Sequence, residues 1–400
     1  MIRKKVATPV LVAIFITLLA SCDKILPKAP AEDELLDGPV EGLSTSQSRQ
    51  FLNGDIAFND QVFTSETGLG PLFVATSCAS CHAADGKGHP FNTLIRFGQT
   101  DSLGNKFLSQ GGPLLQNRAL PGFIPERLPA GVTFTKLTAP VITGLGFLSL
   151  VSDADILAMA DPDDINSDGI SGVPNRVTLP ALIDPNLNAI RIGGKYIGRF
   201  GKKASVHSLL HQTVTAYNQD IGITSIFNPL DAWSLQNIEP EVSTNTINDV
   251  VFYLNTLKAP IQRNPNDPDV QQGKLIFNQI GCTSCHKPDL KTAFSDIESL
   301  SNKEFHPYTD LLLHNMGGAL DDGYTEGTAK TFEWRTPPLW GLGLSPDSQG
   351  GQYFLLHDGR AKSIEEAISF HGGEASGKRN NYFQLSDSDK QKVLKFLESL

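Results

Sequence analysis

The chain has 400 residues, of which 40% are hydrophobic and 19% charged, and a formal net charge of −10. That length and apolar content point to two globular domains, and 36 Gly with 25 Pro point to many loops rather than to a disordered chain. After the first few residues there is no basic run and no interleaving of aromatic and basic residues, so nucleic acid is not an expected partner.

Met1–Lys5 is a short basic segment and Val6–Ala20 is apolar, too short for a bilayer span of about 20 residues but suited to a secretory signal. It ends in Leu19-Ala20-Ser21-Cys22, which resembles the lipobox of bacterial lipoproteins; the alternative is an ordinary signal peptide with a chance cysteine. The expectation is a signal peptide over residues 1–21, lipidation of Cys22, and a Pro-rich charged tether over residues 22–42. Lipid chains there anchor a protein to the extracytoplasmic side of a membrane, periplasmic or cell-surface, without spanning it.

An amphipathic helix is predicted from about Ser44. "TSCASCHAADGKGHP" (Thr76–Pro90) then packs Cys78, Cys81 and His82 into five residues. From Leu94 to Leu150, Gly, Pro, Val and Thr predict loops and short strands. Asp164-x-Asn166-x-Asp168-Gly169 matches the first half of an EF-hand-type loop, with Ile170 offering a carbonyl and Asn175 instead of Glu at the twelfth position. Calcium held by Asp164, Asn166, Asp168 and Ile170 is expected, with a plain Asp/Asn-rich turn as the alternative. Ile247, Val250, Val251, Leu254 and Leu257 share a helical face behind Ser243 or Thr244 as N-cap.

After a polar linker, "GCTSCHKPD" repeats the cysteine motif as Cys282, Cys285 and His286. Val393, Leu394, Leu397 and Leu400 form the face of a closing helix capped by Ser386 or Ser388. Each half thus opens on Cys-x-x-Cys-His and closes on an amphipathic helix. Two related, mainly α domains are expected, residues 43–260 with the insertion and calcium-like loop, and residues 261–400.

Three chemistries compete for the cysteines. A thioredoxin-like site needs a βαβ setting that neither motif has, and no histidine after the second cysteine. A zinc ribbon separates its cysteine pairs by about 15–20 residues, whereas here about 200 intervene. Covalent c-type haem fits: two thiols add to the porphyrin vinyl groups and the next histidine lies under the iron. Cys78, Cys81, Cys282 and Cys285 are then attachment residues for two haems, with His82 and His286 as proximal ligands.

For the sixth ligands, Met316 in "DLLLHNMGG" is the candidate at the second haem, with His314 as fallback and a gap-filling core methionine as the alternative. The first haem has no obvious methionine, since Met159 reads as part of an ordinary helix; His89, His207 and His211 are its candidates. One ligated and one open haem is the arrangement expected of a catalyst.

"GLGPLFVATSCASCH", "GRFGKKA", "DIGITS", "DLLLHNMG", "RTPPLWGLG", "FLLHDGRAKSIEEAI" and "HGGEA" follow in matching order along nearly the whole mature chain. In these the sequence resembles the di-haem oxidoreductase family of peroxidase-like enzymes, also labelled thiol oxidoreductases. More distantly it is similar to bacterial di-haem cytochrome c peroxidases and MauG-type enzymes. The resemblance implies two cytochrome c domains with loop-rich, short-strand insertions, calcium between them, and the ligand roles of His82, His286 and Met316. In the family an aromatic follows "GRFG", where this chain has Lys202, so a bridging tryptophan is absent there and Trp340 is the candidate substitute. Arg335 and Arg360 are candidates to pair with haem propionates. Glu374 and His371 in "HGGEA" are the acid/base candidates for O–O cleavage, while His357-Asp358 is expected to shape the second pocket.

The expected protein is a lipid-anchored di-haem c oxidoreductase that reduces hydrogen peroxide or another small oxidant, electrons passing from the second haem to the first. Its redox partner would be an extracytoplasmic donor or acceptor such as a small cytochrome or cupredoxin. A di-haem electron carrier without its own substrate, and MauG-like or sulfur-compound oxidation, are the competing expectations.

Overall fold

A computed structural model describes residues 31–98 and 112–400, so the signal peptide of residues 1–21 and Cys22 lie outside the described residues. The helices there are α1 (Thr45–Asp55), α2 (Leu145–Ser149), α3 (Asp153–Met159), α4 (Leu209–Ala216), α5 (Thr244–Thr256), α6 (Pro268–Gln279), α7 (Ser345–Ser348), α8 (Ile364–Ser369), α9 (Ser376–Phe383) and α10 (Asp387–Ser399). The strands are short: β1 (Leu72–Phe73), β2 (Leu94–Phe97), β3 (Arg118–Ala119), β4 (Phe134–Leu137), β5 (Arg176–Val177), β6 (Tyr196–Ile197), β7 (Leu290–Lys291), β8 (Glu304–Phe305), β9 (Leu313–Asn315) and β10 (Glu333–Arg335). They pair only as two-stranded antiparallel ladders, β1–β3, β2–β4, β5–β6, β7–β8 and β9–β10, so the fold is mainly α.

Two helix pairs organise the chain. Ser44 caps α1 in a capping box, its hydroxyl accepting from Gln47 N while Gln47 Oε1 accepts from Ser44 N. Ser243 and Ser386 cap α5 and α10 in the same way at one end, each accepting from the third helical N–H. α1 packs on α5, and α6 packs on α10. Both contacts run through a glycine. A Cβ at Gly54 would lie 2.6 Å from Tyr253 Cβ and overlap the Asp249 carbonyl; one at Gly273 would lie 2.8 Å from Phe396 Cβ and overlap the Lys392 carbonyl. In each pair the aromatic is four residues beyond the overlapped carbonyl, so the two crossings are equivalent.

Phe51, Phe58, Tyr253 and Leu257 anchor the core of the first pair, and Val270, Phe277, Tyr382 and Phe396 that of the second. Leu290, Phe305, Leu312 and Trp340 of the second half pack into the first core, and residues Leu36–Leu400 form one compact unit. The stretch expected to be tether therefore ends early: Leu36 and Val40 are buried, and Val40 N donates to Thr256 O at 2.7 Å. Residues up to Leu35 are a separate unit, whose described part is one 3-10 turn at Glu32–Glu34. Among the described residues, no helix is long and apolar enough to cross a membrane.

Candidate functional site

The two Cys-x-x-Cys-His segments fold alike, each as one turn directed by the first cysteine. His82 N donates to Cys78 O at 3.0 Å, and His286 N to Cys282 O at 3.1 Å. No disulfide joins these four cysteines. Burial pushes the Cys78, Cys81 and Cys282 thiols up to about 12, the opposite of the low-pKa thiolate a dithiol redox centre needs. Burial also pulls both histidines down to about 4, so each ring is neutral with a lone pair to offer. His286 Nδ1 donates to Tyr308 O at 3.0 Å, which fixes the tautomer and leaves Nε2 free. His82 Nδ1 is buried without a partner at hydrogen-bonding geometry, although the Pro140 carbonyl faces it.

Both turns open on one cavity of about 890 Å³, whose walls include Leu254, Phe277, Trp334 and Trp340. Lys87, Lys202 and Arg335 also line it. Burial and the charges of Lys87 and Arg335 hold Lys202 well below the usual lysine range, with Asp358 opposing. Arg335 spends Nε on Gly201 O and Nη1 on Thr336 O. Lys202, repelled by both Lys87 and Arg335 in a largely apolar cavity, calls for an anionic occupant. Neutral histidines, paired thiols, apolar walls and these cations together fit haem, with its vinyl groups and propionates. Arg360 is not part of this: it is exposed, paired with Asp358 at 2.8 Å and bonded to Ala319 O, away from the cavity.

Met316 and His371 both line the cavity, as does His286. His371 Nδ1 donates to Ala367 O at 2.9 Å, burial keeps the ring neutral, and its charge would act directly on His286. His314 cannot serve as fallback ligand. Its Nε2 meets Asp310 Oδ2 at 2.8 Å and its Nδ1 meets Glu374 Oε2 at 2.9 Å. Burial opposes the charge, but hydrogen bonds to Asp310, Cys285 and Glu374 outweigh it and push His314 up to about 12, so no lone pair remains. Glu374 also accepts from Ser171 Oγ and N and from Asn315 N. The structure thus places Glu374 on His314, which in turn meets Cys285, in a saturated network at the second motif, and does not bring it to His82.

Of the three histidines considered for the first motif, only His211 lines the cavity. His207 is satisfied on both nitrogens, by Ile197 O and Asn186 N, and His89 accepts from Phe91 N. Trp334 is held between two groups: its ring stacks on His357 at 3.7 Å and 8°, and Lys203 Nζ lies 3.8 Å from its centroid. Asp164, Asn166 and Asp168 share one turn, where their oxygens accept from Gly169, Asp168 and Ile170 N–H groups. Lys87, Trp334 and Asp220 were not singled out from sequence; each carries an ordinary residue type whose neighbours are remote in the chain.

No curated protein matches the chain. Among solved structures, the chain is similar to Kuenenia stuttgartiensis hydrazine synthase pressurised with 20 bar xenon, at 14% identity over 94% of this chain and 95% of that one, with a TM-score of 0.41. It is also similar to a MauG-like protein associated with microbial copper homeostasis, at 14% identity over 94% of each chain, with a TM-score of 0.40. Residues 131–400 match the family described as "Di-haem oxidoreductase, putative peroxidase". This match spans well over half of the chain: the protein belongs to the di-haem oxidoreductase family and is an oxidoreductase.

Proposed function

We propose that this enzyme is an extracytoplasmic c-type di-haem peroxidase with one closed and one open iron site. The observation behind the reading is that two equivalent Cys-x-x-Cys-His turns open on one cavity, while their surroundings differ. Cys78 and Cys81 would hold one haem and Cys282 and Cys285 the other, each half built as a cytochrome c domain around its helix pair. Haem supplies one-electron chemistry and a site for peroxide. His82 and His286 present neutral imidazoles to the irons, and Lys87, Lys202 and Arg335 neutralise propionates.

Met316 or His371 would hold the second haem together with His286, since both line the cavity. His371 gains support from its anchored tautomer and its coupling to His286. With haem bound, the second site would take electrons from a small cytochrome or cupredoxin and the first would be the place where peroxide is reduced. Cys22 would carry the lipid anchor. The second reading is an electron carrier, and His211 favours it: the ring lines the cavity, and burial with the His207 charge pulls it down to about 4, leaving it neutral and able to ligate. Stopped-flow mixing of the half-reduced protein with hydrogen peroxide separates them. Reoxidation of one haem within the mixing series supports the peroxidase, and an inert spectrum supports the carrier.

A further inference from the structure

α4 does not end in an ordinary cap. It runs into a π turn, Tyr217–Ile221, that closes on Gly222 in the left-handed region at φ 77°. Such turns shift the side chains that follow out of helical register and cluster at functional sites. Here every displaced carbonyl is tied down. Asp220 O accepts from Val74 N at 2.7 Å and Ala75 N at 3.0 Å, and Ile221 O accepts from Gly70 N at 3.3 Å. Gln116 Nε2 bridges the carbonyls of Asn218 and Gln219. A Cβ on Gly70 would overlap the Gly222 carbonyl, and one on Gly222 would overlap the Leu72 carbonyl. The turn is thereby fixed to the segment that leads into Cys78.

The turn lines the cavity with Tyr217, Gln219, Asp220 and Ile221, and Asp220 is its one carboxylate. Gln219 Oε1 accepts from Arg96 Nη1 at 3.2 Å, and Arg96 Nε pairs with Glu326 at 2.5 Å. The Asp220 carboxylate, in contrast, has no hydrogen-bond partner among the described residues. The groups whose charge acts on it are Arg96 and the thiols of Cys78 and Cys81. A rigid backbone holding an unpartnered carboxylate at a haem-attachment motif has no structural purpose that its own bonds reveal.

We infer that Asp220, backed by Arg96, is the acid/base group of the pocket at the first Cys-x-x-Cys-His turn, acting on a small protic ligand such as hydrogen peroxide. The inference rests on the peroxidase reading above. Burial pushes the Asp220 carboxyl up to about 7, with Arg96 opposing, so near neutral pH it can both take and return a proton. It takes a proton from one peroxide oxygen and returns it to the other. The O–O bond then breaks with its electron pair going to the doubly protonated oxygen, which leaves as water. The remaining oxygen becomes water by taking two electrons that originate with the external one-electron donor and two protons from solvent.

The test compares holo-protein with Asp220→Asn and Asp220→Glu, after confirming two thioether-linked haems in each by pyridine haemochrome. Cyanide association with the oxidised protein is followed by absorbance between pH 5 and 9, since hydrogen cyanide must also give up a proton to bind. The wild type is expected to show one ionisation near neutrality. Asp220→Asn is expected to lose it and to react with peroxide about 10²–10⁴-fold more slowly, while Asp220→Glu keeps the ionisation at a displaced pH. If Asp220→Asn loses its haem, the Glu variant decides: an unmoved profile overturns the inference, and a displaced one supports it. A wild-type pH profile in Asp220→Asn with both haems attached overturns the inference alone. A wild type whose two haems bind no cyanide overturns the peroxidase reading and the inference together.

Discussion

Gly273→Ala probes the equivalence of the two halves most cleanly. The added Cβ would sit 2.8 Å from Phe396 Cβ, where carbon–carbon attraction is optimal at about 3.5–4.0 Å. It would also overlap the Lys392 carbonyl, a backbone atom that no rotamer change can move. α6 and α10 must therefore separate, an overpacking cost of about 1–3 kcal/mol. Replacing a helical glycine by alanine returns at most about 1 kcal/mol, so a net loss of up to about 2 kcal/mol is expected. At about 2–4 °C per kcal/mol for domains of a few hundred residues, Tm should fall by up to about 8 °C, and in every case lie below that of a glycine-to-alanine change that meets no obstruction. Gly377→Ala, in α9 with nothing within 4 Å of the added carbon, is the control and should be neutral or stabilising. Thermal unfolding of the holo-proteins, followed by circular dichroism, reads all three, and Gly54→Ala should behave as Gly273→Ala does. A Gly273→Ala protein as stable as the Gly377→Ala control would refute the close crossing and with it the structural matching of the halves.

Three further outcomes follow from the site. His314 is raised from 6.5 to about 12, so its contribution to stability is complete below its unfolded value and is lost as pH rises toward 12. Glu374→Gln removes one of its anionic partners, so thermal stability should begin to decline at lower pH than in the wild type when followed from pH 6 to 10. Lys202→Met deletes a cavity lysine whose ammonium has no hydrogen-bond partner among the described residues. Spectroelectrochemical titration should show at least one haem potential lowered by about 30–60 mV, roughly a three- to tenfold change in the equilibrium constant. Arg335→Ala should shift potentials in the same direction, whereas Arg360→Ala, at the surface, should leave both potentials unchanged.

Local signals were readable in the sequence and distant ones were not. Ser44, Ser243 and Ser386 cap helices because capping involves only the next three residues. The short strands between Leu94 and Leu150 follow from Gly, Pro and β-branched content in the same way. The crossings at Gly54 and Gly273 depend on carbonyls more than a hundred residues away, which no periodicity reveals. His314 looked like a ligand because its partners are hidden: Asp310 is four residues earlier outside any helix, and Glu374 comes from beyond α8. Arg335 and Arg360 look alike in sequence and differ only in which faces the cavity. Lys202 was visible as a departure from an aromatic, but its company with Lys87 and Arg335 emerges only when three distant segments meet.

The most direct measurement is electron paramagnetic resonance with absorption spectra of the holo-protein, oxidised and half-reduced, before and after one equivalent of hydrogen peroxide. Two covalent haems are expected, one of them high-spin with a signal that peroxide abolishes, while the low-spin haem is reoxidised. Two low-spin haems whose spectra peroxide leaves unchanged would contradict this expectation.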